Sequence, residues 1–328
     1  MILKKRYLIA GSAMTLCAWG VASFAMPAIA EESLSPESAS PDDVSALVAD
    51  AANSAGATAA GSSGDSGEVV VPTDAAEGVA VDMADGMDFT VALPVGVSTE
   101  DGAMAADGST VYAGEKGEPD VTVTPLGSGV RVSTVVWDES QATSFDYPLP
   151  EGVDAEVLPD GSVELTRAVK GEGAAAQIAG VVGHVEPAWA VDAEGNDLPT
   201  TYEVVDGVLT QDVDITDAAF PVVVDPTWKF TSAIQIRARW NRAETATIAG
   251  GGWAAGSMTA VCGWAGSAVA GPVGAAAFSA GCLTTAGPAI YTASVAQNSK
   301  PKRCLEGYLT YVPGVSLIIP WYGTYACK

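Results

Sequence analysis

Between Val69 and Trp228 apolar side chains come in short runs separated by Asp and Gly, with Val, Thr, Tyr and Trp prominent. Val130, Val132, Thr134 and Val136 form an every-second-residue series, the period of a strand half-buried against a core. Val157 and Leu158 run into Pro159, Asp160 and Gly161, and Val163 and Leu165 run back; Gly supplies the positive φ of a tight turn, so a hairpin is predicted over Ala155–Leu165. Tyr202 to Thr210 repeats the device around Asp206 and Gly207, and Glu194, Gly195 and Asn196 mark a further turn. The pattern predicts a mainly β, antiparallel, sandwich-like domain over 69–228, with 69–125 as a looser subdomain.

Beyond residue 228 the pattern changes. Ile234, Ile236, Ala238 and Trp240 alternate with Gln235, Arg237 and Arg239, which predicts an amphipathic strand with a basic polar face. Asn241 can cap a following helix, and Glu244 can reach back to the cap amide. From Thr245 to Ser299 there is no charged residue, and Gly271 and Pro272 divide two apolar segments, 253–270 and 272–296, as a stop and restart for helices. Cys262 and Cys282 lie equally far from Pro272, so a helical hairpin turning there brings them level. Cys304 then pairs with Cys327 across a β-hairpin turning at Pro313 and Gly314. Four cysteines permit three pairings, and this one is preferred. The expectation for 229–328 is a small α+β module stapled by disulfides.

Charge sharpens the division into two modules. All but two of the 40 Asp and Glu lie between 31 and 228, where the basic side chains are Lys116, Arg131, Arg167 and Lys170. From Lys229 onward Glu244 and Glu306 are the acids, against Lys229, Arg237, Arg239, Arg242, Lys300, Lys302, Arg303 and Lys328. A net charge of -25 argues against nucleic acid, which is bound by Lys and Arg on phosphates. Residues 31–68, rich in Ala, Ser, Gly and acids, are expected to be a disordered tether, with room for a brief helical turn around Val44 to Ala51. Lys4, Lys5 and Arg6, the apolar stretch from Tyr7 to Met26 and the small residues around Ala28 and Ala30 read as a signal peptide, 1–30, with export and maturation at Glu31. Leu16 before Cys17 argues against lipid attachment, and Tyr202 after Leu198, Pro199, Thr200 and Thr201 breaks a wall-sorting pattern. The expected location is secreted or extracellular, where disulfides outrank metal binding for the cysteines.

The most specific string is Phe220, Pro221, Val222, Val223, Val224, Asp225, Pro226 and Thr227, preceded by Trp189, Ala190, Val191, Asp192, Ala193, Gly195, Pro199, Thr200, Tyr202, Val204 and Val205. Residues 125–228 thereby resemble the β-rich segment of secreted actinobacterial proteins, in which a Tyr-or-Phe, Pro, Val, Val-type run and Asp-Pro close the β domain before a variable C-terminal module. Similar runs occur beside polymorphic-toxin and wall-associated-repeat modules. The resemblance implies a secreted scaffold and carries over no catalytic residue.

Catalytic side chains are sparse. His184 is the single histidine, and its apolar setting between Val182 and Val185 suits a structural role. Asp212 and Asp214, or Asp192, Glu194 and Asp197, could form carboxylate pairs or a loose Ca²⁺ site, but acids this frequent pair by chance. No cofactor or metal is expected. The leading expectation is a non-enzymatic protein whose C-terminal module is a membrane- or envelope-interacting effector carried by the acidic scaffold. Trp253, Trp264, Trp321 and Tyr322 would lie at an interface, and Lys300, Lys302 and Arg303 would meet an anionic membrane or envelope component. The alternative is a protein- or envelope-binding module with no released piece; a carboxylate-dependent hydrolase comes third.

Overall fold

The computed structural model describes residues 35, 39–57, 67–83, 87–115, 117–168, 177–251, 286–312 and 317–327. Its elements in chain order are α1 (Pro41–Ser54), β1 (Gly67–Val70), β2 (Val79–Met83), β3 (Asp88–Val91), β4 (Ala103–Met104), β5 (Thr110–Tyr112), β6 (Asp120–Pro125), β7 (Gly129–Val136), β8 (Ser144–Pro148), β9 (Val153–Val157) and β10 (Val163–Ala168). There follow β11 (Gln177–Val185), β12 (Trp189–Val191), β13 (Thr200–Val205), β14 (Val208–Val213), β15 (Val222–Asp225), β16 (Thr227–Arg239), α2 (Arg242–Ala249), α3 (Ala286–Asn298), β17 (Cys304–Val312) and β18 (Leu317–Tyr325).

The fold is mainly β and antiparallel. One large sheet runs β4-β5-β6-β7-β16-β11-β10-β9, with β15 joining β12 to β7 and β17 joining β16 to β18; β1-β2-β3 and β13-β14-β8 form two three-stranded sheets. Period-2 alternation turns Val79, Val81, Phe89 and Val91 from the first small sheet and Phe145, Tyr147 and Leu209 from the second into one sandwich-like core with Val130, Val132, Leu165, Val224 and Trp228 of the large sheet. Phe89 and Phe230 stack at 4.2 Å. Each fully buried Val or Leu contributes about 1.5–3 kcal/mol.

The hairpins follow the local turn chemistry. Val157 faces Val163 across the Pro159–Gly161 turn, where Gly161 has φ 86°. Val205 faces Val208 with Asp206 at φ 50° and Gly207 at φ 82°, the double positive φ of a tight two-residue turn.

Three expectations are corrected. The tether over 31–68 contains α1, started by a capping box between Ser40 and Asp43 with Pro41 in its first turn. Its Val44, Val48 and Ala51 pack on Val111, Val135, Trp137, Val191 and Val223. The brief turn expected over Val44 to Ala51 is thus a packed helix; composition hid its burial because the apolar stripe is short and Ala-rich, yet enough to close a second layer. In consequence β7 is buried along its whole length, not on one face alone. Finally, no domain boundary falls at 228: β16 pairs with β7 through Thr227–Lys229, with β11 as far as Arg239, and with β17 from Ile234 to Arg239. From Ser35 onward the chain is one compact unit, and the stretch 69–125 shares its core.

Candidate functional site

β16 alternates as its sequence implies. Ile236, Ala238 and Trp240 are buried, and α2 and α3 pack on the neighbouring strands, α2 on β17 and α3 on β17 and β18. α2 begins with the expected capping box, Asn241 accepting from the Glu244 amide at 3.0 Å and the Glu244 carboxylate accepting from the Asn241 amide at 2.8 Å. α3 approaches closely because Ala289, Ala293 and Ala296, one stripe at helical spacing, are fully buried.

The opposite face of the β16–β17–β18 ribbon collects polar and aromatic side chains, because cross-strand partners share a face. Arg237 stands opposite Tyr308 and Arg239 opposite Glu306; Tyr308 is in turn opposite Trp321, and Glu306 opposite Gly323. Acids from β9 and β10 reach into the same place. Arg237 pairs with Glu164 and, at 3.5 Å, with Glu156; Arg239 pairs with Glu156 and, through Nε at 3.1 Å, with Glu306. The Arg239 guanidinium lies 4.5 Å from the Tyr325 ring centre, a cation–π contact. Burial raises the Glu164 carboxyl above its ordinary range although Arg237 pulls it down. Burial and then Glu164 itself raise the Tyr308 phenol. Burial opposes the charge of Arg239, but its bonds to Glu156 and Glu306 hold it above the ordinary range.

Trp321 forms the rim of this bed. It is 57% exposed, yet its ring is held from behind, 5.2 Å centre to centre from Tyr308. A Cβ on Gly323 would come within 2.8 Å of the indole and 3.3 Å of a Glu306 carboxylate oxygen, so the indole rests on bare backbone beside Glu306. Glu156 is the open carboxylate of the bed, 42% exposed.

The predicted contact residues do not form one face. Lys300 and Lys302 are exposed ahead of β17. Arg303 instead ties the hairpin end together, donating from Nε and Nη2 to the Thr324 hydroxyl and carbonyl at 2.9 and 2.7 Å. Tyr322 turns to the helix-covered side, where its ring packs over Gly307 beside Trp240. Trp253 and Trp264, like Cys262 and Cys282, lie outside the described residues. Cys304 and Cys327 are joined, with Cα atoms 5.3 Å apart. Sequence reasoning recognised the basic face of β16 but missed its acidic answer from Glu156 and Glu164, since nothing local couples residues 73 to 83 positions apart.

The Phe220–Thr227 string is structural. Val222, Val223 and Val224 are buried, and Asp225 with them. Asp225 accepts from the Thr227 hydroxyl at 2.8 Å, with Arg131 Nε 3.8 Å away. Burial pushes its carboxyl up to about 7 against the pull of Arg131. Two of the other candidate acids are committed to their own turns. Asp192 accepts from the amides of Glu194, Asn196 and Ala219, and Asp214 from that of Thr216. Among the described residues no group of three or more His, Cys, Asp or Glu is placed to hold a metal. His184 stands opposite Lys229; loss of water around the ring and the nearby ammonium lower its imidazole below the ordinary range. A groove of about 460 Å³ beside β3 is lined by Asp74, Glu77, Leu93 and Val97. Among the described residues no helix is long and apolar enough to cross a membrane. No family model matches the chain, and neither a curated protein nor a solved structure shows significant similarity to it.

Proposed function

We propose that the protein acts outside the cytoplasm as a one-piece, non-enzymatic binding module that docks on a cell-envelope component through the outward face of the β16–β18 ribbon. The observation that carries this reading is Trp321, a large aromatic left in solvent but braced by Tyr308 and Gly323 on the face that carries the ion-pair network. Ordering a contact side chain in advance lowers the entropy cost of binding, and exposed Trp is a preferred anchor of interfaces.

Continuity of β16 through residues 227–239 favours this reading over a released C-terminal effector. Detaching 229–328 would strip β11 of nearly all its pairing with β16 and leave the buried Glu164 without Arg237, and stranding buried charge is costly. The basic leader and the Cys304–Cys327 bridge fit an exported protein.

Co-sedimentation of the exported, oxidised chain with isolated cell envelopes tests the proposal. The intact chain pellets, and Trp321→Ala pellets much less. Leakage of anionic vesicles by a C-terminal fragment, with no pelleting of the intact chain, would reverse the choice in favour of the effector, to which the exposed Lys300 and Lys302 would then belong.

A further inference from the structure

Arg237 and Tyr308 stand in the cross-strand row of Trp321, and Arg239 and Glu306 in the row of Gly323 on the same face; Glu156 and Glu164 are bonded to the two arginines, so three carboxylates and two guanidiniums form one network there. The charges nearly cancel, so the bed has little pull on a phosphate, an anionic lipid headgroup or a polycation. What it retains is a dense set of oriented hydrogen-bonding groups, with the Glu156 carboxylate accessible at the surface.

The aromatic part has complementary character. The indole lies against the Tyr308 ring and the backbone at Gly323, and Trp321 is still more than half exposed. A flat, fixed apolar plate beside hydrogen-bonding groups of small net charge matches a ligand with an apolar face and a polar rim. A sugar ring has that form: its axial C–H groups make an apolar face, and its hydroxyls project around the edge.

We infer that Trp321 is the stacking platform of a subsite for a neutral sugar residue of a glycan, with Tyr308 and Gly323 positioning the indole and Glu156, beside Arg239, receiving the sugar's hydroxyls. The inference rests on the envelope-docking reading and names its ligand class. A lipid surface fits less well because Lys300 and Lys302 lie at the Cys304 end of β17, whereas Trp321 stands opposite Tyr308, further along the strand.

The test is retention of the full exported chain on immobilised neutral polysaccharides: chitin, cellulose, mannan and peptide-stripped envelope glycan strands. Retention on at least one of them is expected, little changed when salt rises from about 0.05 to 0.5 M, because stacking and short hydrogen bonds are weakly screened. Trp321→Ala should weaken it by about tenfold or more, equivalent to about 1.4 kcal/mol. Trp321→Phe, which keeps an aromatic plate, should recover part of the loss, and Glu156→Gln should weaken retention less than Trp321→Ala. Unchanged circular dichroism and an intact Cys304–Cys327 bridge show that the variants are folded. Equal retention of Trp321→Ala and the natural chain overturns the inference, as does retention that collapses with salt. If intact envelopes bind the chain and no neutral glycan does, the sugar subsite is wrong and envelope docking stands; if neither binds, both fall.

Discussion

Asp225 shows how a recognisable string can serve the fold. It sits at the junction of β15 and β16, where Thr227 donates to it and the Arg131 guanidinium faces it, while Glu186 adds unfavourable negative charge. Tyr202 donates to its carbonyl at 3.1 Å. Because burial lifts its carboxyl from 3.8 to about 7, the folded chain keeps the proton over a range in which the unfolded chain has lost it. The contribution to stability is therefore complete below pH 3.8, declines as pH rises toward 7, and is gone above it. Within that window the slope is of order 1 kcal/mol per pH unit. Urea unfolding of the natural chain and Asp225→Asn at several pH values isolates the term: the stability difference between them should shift against the natural chain as pH rises from about 5 to 7.5. A difference independent of pH contradicts this assignment.

At the scale of elements, short-range signals were legible and long-range ones were not. The Asp206–Gly207 and Pro159–Gly161 hairpins, the Asn241–Glu244 cap and the alternation of β16 each depend on residues a few positions apart, and each is found. The partners of Arg237 and Arg239 include acids of β9 and β10, which are separated from β16 in the sheet by β11 and lie 73 to 83 positions away in sequence, a proximity that turn chemistry does not encode. The burial of α1, beyond the brief turn that the sequence allows over Val44 to Ala51, was hidden for another reason: its acids and small residues satisfy the composition of a tether, while Val44 and Val48 become buried only when Val135 and Val223 lie beneath them. Val48, 2% exposed, provides the test. Val48→Asp should destabilise the fold by about 3 kcal/mol or more, since the carboxylate would be stripped of water without a partner. A change below about 0.5 kcal/mol, the usual effect of a surface substitution, would mean that α1 is not part of the core.

For the molecule as a whole, the charge division along the sequence suggests two bodies, but the sheet joins them. An acidic stretch and a basic stretch meet as interleaved partners, Glu156 and Glu164 with Arg237 and Arg239, so part of the asymmetry stabilises an internal junction. The Cys304–Cys327 bridge fastens the ends of the last hairpin to each other, and Arg303 adds its bonds to Thr324 across the same end. Hydrogen exchange under native conditions, read strand by strand, tests this one-piece architecture most directly. The account predicts that amides of β16 and β17 open only with those of β7, at one common free energy that falls in parallel as urea is added. Exchange of β16 and β17 through a separate, lower-energy opening while β7 stays protected would contradict it and restore an independent C-terminal module.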